Sequence, residues 1–331
     1  MQTSKKVSVI VPCYNEENTI QLLLKAVLEQ DFPLNDVEVV IADAFSQDKT
    51  REKILEFGQA HPQLVVKIVD NPQRTIPAAV NAAANVAQGE YLVRLDAHSV
   101  PYPAYISICI RDLEEKKGAN VGGVWEIKPG ADTGIAKAIA AAAAHPLGVG
   151  DARYRYSNQP GEVDTVPFGS FRRDLFFSVG KFDETLLSNE DYEFNARIRQ
   201  NGGKVWFDPI IRCVYFARKN LKELAKQYWR YGYWKLQMLK RYPKTIRWRQ
   251  ALPPVFVLMN FLGILFSLFN KYIAYSYLSV LGVYVLILLA AGISSAIKKK
   301  EPALILGLPA AMITMHFAWG MGFLVSLITK K

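Results

Sequence analysis

Apolar and polar positions follow two different rhythms over the first hundred residues of the chain. Four apolar runs rich in β-branched residues predict strands, which span 7–12, 37–43, 64–70 and 90–96. Between these runs, apolar residues recur at helical spacing over 20–28, and an alanine-rich stretch predicts a helix over 77–87. Strands that alternate with helices imply an α/β fold with a parallel sheet and right-handed crossovers.

The middle of the chain has a weaker pattern. Residues 118–180 show no regular period apart from an alanine-rich stretch over 135–144 and a glycine-rich loop after it. Residues 190–200 are predicted to form a helix, which Gly202 and Gly203 end.

The C-terminal part of the chain is dominated by three apolar runs, at 253–269, 272–297 and 303–328. Each run approaches or exceeds the ~20 residues that a helix needs to cross a bilayer. A buried soluble core is the alternative interpretation of each run. Three nearly charge-free runs in series favour the membrane interpretation. Lys298 to Lys300 indicate that the loop between the second and third runs faces the cytoplasm, but three spans would then place Lys330 and Lys331 outside, which the same rule disfavours. The topology is therefore left open.

A dense basic stretch over 218–249 precedes the first apolar run. Basic residues at this position are typical of the cytoplasmic side of a membrane, and a solvated helix face is the alternative. The predicted organisation therefore has three parts: 1–217 as a catalytic domain, 218–250 as a basic aromatic interfacial segment, and 251–331 as a membrane domain of about three transmembrane helices.

Charge and cysteine content narrow the class of protein. The chain has 331 residues and a net charge of +10, which is compatible with nucleic acid, anionic lipid or an anionic substrate as partner. No nucleic-acid-binding motif is present, so nucleic acid is not expected. The three cysteines form no CxxC pair and are predicted to be reduced. The N-terminus does not have the pattern of a signal peptide, which predicts a cytoplasmic first domain.

Acidic residues fall at the ends of the predicted strands, where ligands bind in α/β sheets. Asp43 ends the second strand and Asp96 follows the fourth, with His98 two residues later. Glu190 and Asp191 open the predicted helix at 190–200. Each has a structural alternative: an Asx turn or helix cap for Asp43, a structural histidine for His98, and favourable charge at a helix N-terminus for the acidic pair.

Four motifs together resemble one enzyme family. VSVIVPCYNEE, VVIADAFSQDKT, AVNAAANVAQGEYLVRLDAHSVPYP and SNEDYEFNARIRQNG occur in the order and spacing of glycosyltransferase family 2. Within that family, NPQRTIPAAVNAA, LDAH, VDTVPFGSFRR and YWRYGYWK are similar to the bacterial ExoA-type succinoglycan glycosyltransferases. The resemblance covers about residues 5–245. It implies a GT-A fold, a nucleotide-activated sugar donor and inversion at the anomeric carbon.

The resemblance also implies roles for individual residues. It implies a donor-binding set, which comprises Pro12, Tyr14, Glu16, Asp43, Arg74 and Asp96. Asp96 and His98 correspond to the first and last positions of the D-x-D motif, which binds Mg²⁺ or Mn²⁺. Asp191 corresponds to the catalytic base, with Glu190 beside it. It implies an acceptor or diphosphate set, which comprises Gly169, Ser170, Arg172, Trp229 and Arg230.

The chain departs from the family pattern at three positions. The usual D-D-G-S is Asp43-Ala44-Phe45-Ser46 here, and His98 replaces an aspartate in the metal motif. Val80 stands where many members have arginine, and the hypothesis is that Arg74 supplies that charge instead. For Trp229 and Arg230, an amphipathic helix at the membrane surface is an equally good interpretation.

The sequence therefore predicts a membrane-anchored, metal-dependent, inverting glycosyltransferase at the cytoplasmic face of a bacterial inner membrane. The expected donor is a UDP-sugar, with UDP-glucose as the default, and the expected acceptor is a polyprenyl-diphosphate-linked sugar in exopolysaccharide synthesis. One alternative is a sugar nucleotidyltransferase, whose N-terminal loop would carry glycine and lysine. The other is a non-catalytic transporter or scaffold, although three spans are few for a transporter.

Overall fold

The structure is a computed structural model that describes residues 5–329. Nine strands in the described part of the chain form one sheet. The strands are β1 (Val7–Cys13), β2 (Val37–Asp43), β3 (Val65–Asp70), β4 (Tyr91–Arg94), β5 (Ser99–Pro101), β6 (Asn120–Lys128), β7 (Gly161–Glu162), β8 (Ser170–Arg172) and β9 (Val205–Phe216).

Helices surround or follow these strands along the chain. They are α1 (Ile20–Leu28), α2 (Thr50–Ala60), α3 (Ile76–Val86), α4 (Tyr105–Glu114), α5 (Gly134–Ala143), α6 (Pro146–Val149), α7 (Arg173–Ser178), α8 (Glu190–Gln200), α9 (Leu221–Arg241), α10 (Trp248–Ser267), α11 (Lys271–Lys299) and α12 (Leu304–Ile328). Helix α8 has the bounds that the sequence predicts, and the four predicted strands are confirmed to within two residues at each end.

The sheet is parallel only in its first half. Its strand order is β3-β2-β1-β4-β8-β6-β9-β5, and β7 pairs with β9. The pairs among β1, β2, β3 and β4 are parallel, as the alternation of strands and helices predicts. The aperiodic stretch after residue 118 supplies β6 and β8, which pair with each other in antiparallel orientation, and β8 also pairs antiparallel with β4. These short strands make the sheet mixed.

The first strands are buried because helices cover both faces of the sheet. Every residue of β2 is buried, as are all residues of β1 except Pro12. Apolar side chains of α1 and α4 pack with those strands in one core. Strand β3 lies at the edge of the sheet and is partly exposed. The burial of β1 and β2 fixes the positions of the loops that follow them.

The described residues form two compact units. The first unit runs to Glu126 and resumes over Ser157–Tyr215, and it holds the sheet and its helices. The second unit comprises Ile127–Tyr156 and the chain from Phe216, and it is helical. Residues 127–156 pack with the helical unit, although they fall inside the predicted segment 1–217. The three-part organisation with boundaries at 217 and 250 stays a prediction.

The second unit contains three helices that are long and apolar enough to cross a membrane. They are α10, α11 and α12, and they contain the three apolar runs predicted from the sequence. Helix α9 packs closely on α12, because a Cβ atom on Gly232 would lie 1.9 Å from the carbonyl oxygen of Trp319. A Cβ atom on Gly322 would likewise lie 2.2 Å from the carbonyl oxygen of Trp229. Lys330 and Lys331, the end of the predicted membrane segment, lie outside the described residues.

Candidate active site

The loops after β1, β2, β3 and β4 meet at the carboxyl edge of the parallel strands. This edge is where ligands bind in α/β sheets. Asp43 is the last residue of β2 and pairs with Cys13 at the end of β1. Asp96 lies two residues beyond the end of β4. The topology therefore brings Asp43, Asp96 and the loop with Tyr14 and Glu16 to one edge of the first unit.

Unusual backbone conformations are concentrated in the loops around this edge. Five non-glycine residues there have positive φ angles in the left-handed region: Asn15 (54°), Phe45 (58°), Arg74 (54°), Phe168 (61°) and Asn189 (65°). A left-handed L-residue costs roughly 1–2 kcal/mol, and such residues cluster at functional sites. Their concentration supports this edge as a binding site by a criterion independent of the acidic motifs.

Asp43 is completely buried, with 0% of its surface exposed. Its carboxylate accepts hydrogen bonds from the Ser46 backbone N–H at 3.1 Å and from Nε of Arg51 at 2.6 Å. The Ser46 hydroxyl also donates to it. Arg51 in turn pairs with Asp70 at the end of β3. These contacts have the local geometry of the turn that was the structural alternative for Asp43, and its contact with a nucleobase stays a prediction.

The loop after β1 touches the loop after β4. Oε1 of Glu16 lies 2.9 Å from Nδ1 of His98, and Thr19 donates to the other carboxylate oxygen. Tyr14 is 47% exposed, and Pro12 is half-buried within β1. A carboxylate next to a histidine ring nitrogen fixes the orientation of the ring. Glu16 of the predicted donor-binding set and His98 of the predicted metal motif are therefore in direct contact.

Arg94 is a central residue of the site that the sequence analysis missed. It lies in β4 and is 4% exposed. Its Nη2 atom is 3.3 Å from Oδ1 of Asp96 and 3.3 Å from Oε1 of Glu190. Its Nε and Nη1 atoms have no hydrogen-bond partner among the described residues. The signal in the sequence was a charged residue within an otherwise apolar buried strand, because such residues are almost always paired.

The two acidic residues at the start of α8 lie in different environments. Glu190 is 6% exposed, whereas Asp191 is half-buried. The pKa of Glu190 is raised to about 7, chiefly by burial and then by the neighbouring charge of Asp191, while Arg94 acts in the opposite direction. Oδ1 of Asp191 accepts a hydrogen bond from the Tyr192 backbone N–H at 2.7 Å. The two carboxyl groups are therefore suited to different roles, one buried and one accessible.

The predicted acceptor residues do not all reach this edge. The carbonyl oxygen of Gly169 accepts a hydrogen bond from the Arg94 N–H at 3.0 Å, so Gly169 borders the site. Ser170 is completely buried in β8. Arg172 pairs with Tyr91 in the register of β8 with β4, at the opposite edge of the sheet, because β8 is antiparallel. There Arg172 forms an ion pair with Glu90 at 2.6 Å.

The remaining two acceptor residues belong to the second unit. Trp229 and Arg230 lie on α9, and both side chains are exposed. On the same helix, Asn220 caps the N-terminus by accepting from the Glu223 N–H. The predicted contact of Trp229 and Arg230 with an acceptor diphosphate stays a prediction.

Asp96 and His98 are suitable ligands for a divalent cation that is shared with a phosphate group. Within residues 5–329, no group of three or more His, Cys, Asp or Glu side chains is arranged to hold a metal ion. Mg²⁺ is usually held by one or two carboxylates together with substrate phosphates rather than by a full protein cage. The Glu16 carboxylate beside His98 is also the kind of outer partner that metal-ligating histidines have. The residues therefore fit a cation held jointly with a diphosphate.

A family model and similar proteins from other organisms all point to the same class of enzyme. The family model for Glycosyl transferase family 2 matches residues 8–178. Succinoglycan biosynthesis protein ExoA from Rhizobium meliloti (strain 1021) is 32% identical over 97% of this chain and 94% of its own length. A dolichyl N-acetyl-α-D-glucosaminyl phosphate 3-β-D-2,3-diacetamido-2,3-dideoxy-β-D-glucuronosyltransferase from Methanococcus voltae is 28% identical over 97% of both chains.

Solved structures share the fold. The mannosyltransferase PcManGT from Pyrobaculum calidifontis, solved with GDP-Man and Mn²⁺, is similar with a TM-score of 0.63 and 20% identity. That similarity covers 95% of this chain and 86% of the mannosyltransferase. Residues 1–349 of TarS from S. aureus, solved with UDP-GlcNAc, are similar with a TM-score of 0.52 and 17% identity over 95% of this chain and 90% of that one.

Proposed function

The chain belongs to glycosyltransferase family 2 and is a glycosyltransferase with a GT-A fold, and on that premise we propose its substrates and mechanism. The proposed donor is a nucleotide-diphosphate sugar, a UDP-sugar by preference and UDP-glucose by default. The proposed acceptor is a lipid-linked saccharide in exopolysaccharide or cell-surface polysaccharide synthesis. Two relatives support this acceptor class, because one is named for succinoglycan biosynthesis and the other for a dolichyl-linked substrate.

One observation carries the proposal. The Arg94 guanidinium joins Asp96, on the donor side, to Glu190, at the start of the helix that bears Asp191. A family 2 enzyme needs a group that handles the donor diphosphate and a group that takes the acceptor proton. In this chain, one buried side chain contacts Asp96 and the residue that directly precedes Asp191.

On the donor side, the loop with Pro12, Tyr14 and Glu16 binds the nucleotide together with the Asp43 and Arg74 loops. Asp96 and His98 would hold Mg²⁺ or Mn²⁺, which offsets the negative charge that develops on the departing diphosphate. The Glu16 carboxylate keeps the His98 ring in place through the 2.9 Å contact with Nδ1.

On the acceptor side, Asp191 is the general base. Its carboxylate takes the proton from an acceptor hydroxyl while the hydroxyl oxygen forms a bond to C1 of the sugar. The bond from C1 to the diphosphate breaks on the opposite face, and the nucleoside diphosphate leaves. A single displacement of this kind inverts the anomeric carbon and forms no covalent intermediate with the enzyme. Glu190 supports Asp191 from the buried side.

The helical unit anchors the chain in the membrane that contains the acceptor. Helices α10, α11 and α12 are the proposed transmembrane segments, and Trp229 and Arg230 on α9 are the proposed contacts with the acceptor diphosphate. The basic residues that precede α10 support a catalytic domain on the cytoplasmic side of the membrane, which we propose to be a bacterial inner membrane.

Release of nucleoside diphosphate from a panel of donors tests this proposal. The detergent-purified protein is incubated with each nucleotide sugar and with Mn²⁺, Mg²⁺ or EDTA. We expect one donor to release nucleoside diphosphate slowly, and this release should require metal. Asp96→Ala should abolish the release, and His98→Ala should need about tenfold more metal for it. His61→Ala, which removes a histidine outside the site, is the matched control. Metal-independent release, or release unchanged in Asp96→Ala, would contradict the donor-site assignment.

A further inference from the structure

Phe45 is an exposed aromatic residue in an unfavourable backbone conformation. It lies two residues after Asp43 at the end of β2, and its side chain is 40% exposed. Its φ angle of 58° is in the left-handed region, where glycine is favoured and a bulky L-residue is an outlier. It also stands where the family motif D-D-G-S has glycine. A large apolar side chain that is both exposed and conformationally costly contributes little to folding, which indicates a role in binding.

Two guanidinium groups lie near the Phe45 ring. Cζ of Arg51 lies 5.9 Å from the centroid of the Phe45 ring, and Cζ of Arg74 lies 5.8 Å from it. Arg51 is held in place by its ion pairs with Asp43 and Asp70. Arg74 is exposed and forms no ion pair with any residue of the described chain. Arg51 is therefore a fixed cationic neighbour of the ring, whereas Arg74 is an accessible one.

The carboxylate beneath this surface faces inward. The hydrogen bonds from Ser46 and Arg51 occupy both oxygens of Asp43, and the residue is fully buried. A ligand that arrives at the end of β2 therefore meets the Phe45 ring and the guanidinium groups before it meets Asp43. In this arrangement Asp43 acts as a positioning residue that holds Arg51 and Ser46.

We propose that the nucleobase of the donor packs on the ring of Phe45, with Arg74 beside it. This inference rests on the proposed function, because it assigns the nucleobase end of the proposed nucleotide-sugar donor. Stacking of a base on an aromatic side chain suits any base, since every base has a π-face, and nearby arginine adds a cation–π contribution. The carbonyl oxygens of a uracil or guanine ring are acceptors for the Arg74 N–H groups.

The test is UDP binding by the full-length, detergent-purified protein, measured by calorimetry with Mn²⁺ present, for four variants. Phe45→Gly removes the ring and also relieves the positive φ, so its thermal midpoint should be unchanged or higher. Its affinity for UDP should nevertheless fall about tenfold, within the range measured for loss of one base–aromatic stack. Phe45→Tyr keeps a ring and should retain the affinity, whereas Phe45→Leu should not.

Ile210→Ala provides the matched control, since Ile210 is a 60% exposed apolar residue on β9 in the same unit. The inference is overturned if Phe45→Gly binds UDP as tightly as the unmodified protein does. It is also overturned if Phe45→Tyr or Ile210→Ala loses as much affinity as Phe45→Gly. Failure of the unmodified protein to bind any of UDP, GDP, ADP or CDP is a different outcome, which contradicts the proposed function itself and this inference with it.

Discussion

Nη2 of Arg94 lies 3.3 Å from Oε1 of Glu190, and this contact joins the end of β4 to the first turn of α8. Both side chains are buried, at 4% and 6% exposure. The same Arg94 atom contacts Asp96 at 3.3 Å. A buried charge pair of this kind is costly to break from one side, because the remaining charge is left without a partner.

The pair should therefore show strong coupling in a double-variant cycle. Arg94→Met leaves two carboxylates without their cation and should destabilise the protein by about 3–5 kcal/mol. The double variant Arg94→Met/Glu190→Gln should be more stable than the sum of the single effects predicts, with a coupling of about 1 kcal/mol or more. Denaturation in detergent measures each term. Additive effects would show that the contact carries no energy.

Glu190 should make stability fall as the pH rises. Its pKa is raised from 4.5 to about 7 in the folded protein, chiefly by burial, so the folded state binds its proton more tightly than the unfolded state does. Between those two pH values the folded state holds more protons, and stability therefore decreases with rising pH, by an amount of the order of 3 kcal/mol.

Glu190→Gln isolates this effect, because all other titrating groups are common to both proteins. Thermal midpoints of the two proteins are compared at pH 5 and at pH 8. The unmodified protein should lose stability relative to the variant between these values. A difference that stays constant, or that changes in the opposite direction, would refute the raised pKa.

The close packing of α9 on α12 depends on glycine. Gly232→Ala introduces a Cβ atom that would lie 1.9 Å from the Trp319 carbonyl oxygen, so the two helices must separate. The expected destabilisation is about 1–3 kcal/mol, as for other overpacked interiors. Gly282→Ala on α11 is the control, since no atom lies within 4 Å of the added Cβ. That variant should be neutral or slightly stabilising, because alanine favours helices.

Parts of this structure that depend on local pattern were predictable from the sequence. Strand β2 and helix α8 have the predicted bounds, because β2 is a short apolar run that ends at Asp43 and α8 is followed by Gly202 and Gly203. Strands β6 and β8 were not predicted, since their antiparallel pairing joins segments that are distant in sequence and leaves little local pattern. Arg172 is an example. The edge of the sheet at which Arg172 lies depends on the orientation of β8, and the sequence does not show that orientation.

The residues of the candidate site could be predicted from sequence motifs, but the contacts between these residues could not. Family resemblance identifies Asp43, Asp96 and Asp191 as candidate site residues. It does not reveal that Asp43 is covered by Ser46 and Arg51, because hydrogen bonds across a loop depend on its backbone conformation. Arg94 was missed because the family resemblance gives it no role, although it lies inside the quoted stretch that ends in LDAHSVPYP. A charged residue in a buried strand needs partners, and that was the available signal.

The central claim is that Asp191 removes the acceptor proton, and Asp191→Asn tests it directly. Asp174→Asn is the matched control, because Asp174 also lies in the first turn of a helix and accepts from the following backbone N–H at 2.7 Å. Transfer of labelled sugar from the active donor to membrane lipid is measured together with UDP binding. Asp191→Asn should reduce transfer by about 10²–10⁴-fold and leave UDP binding intact, with Asp174→Asn unaffected. Normal transfer by Asp191→Asn would contradict the mechanism.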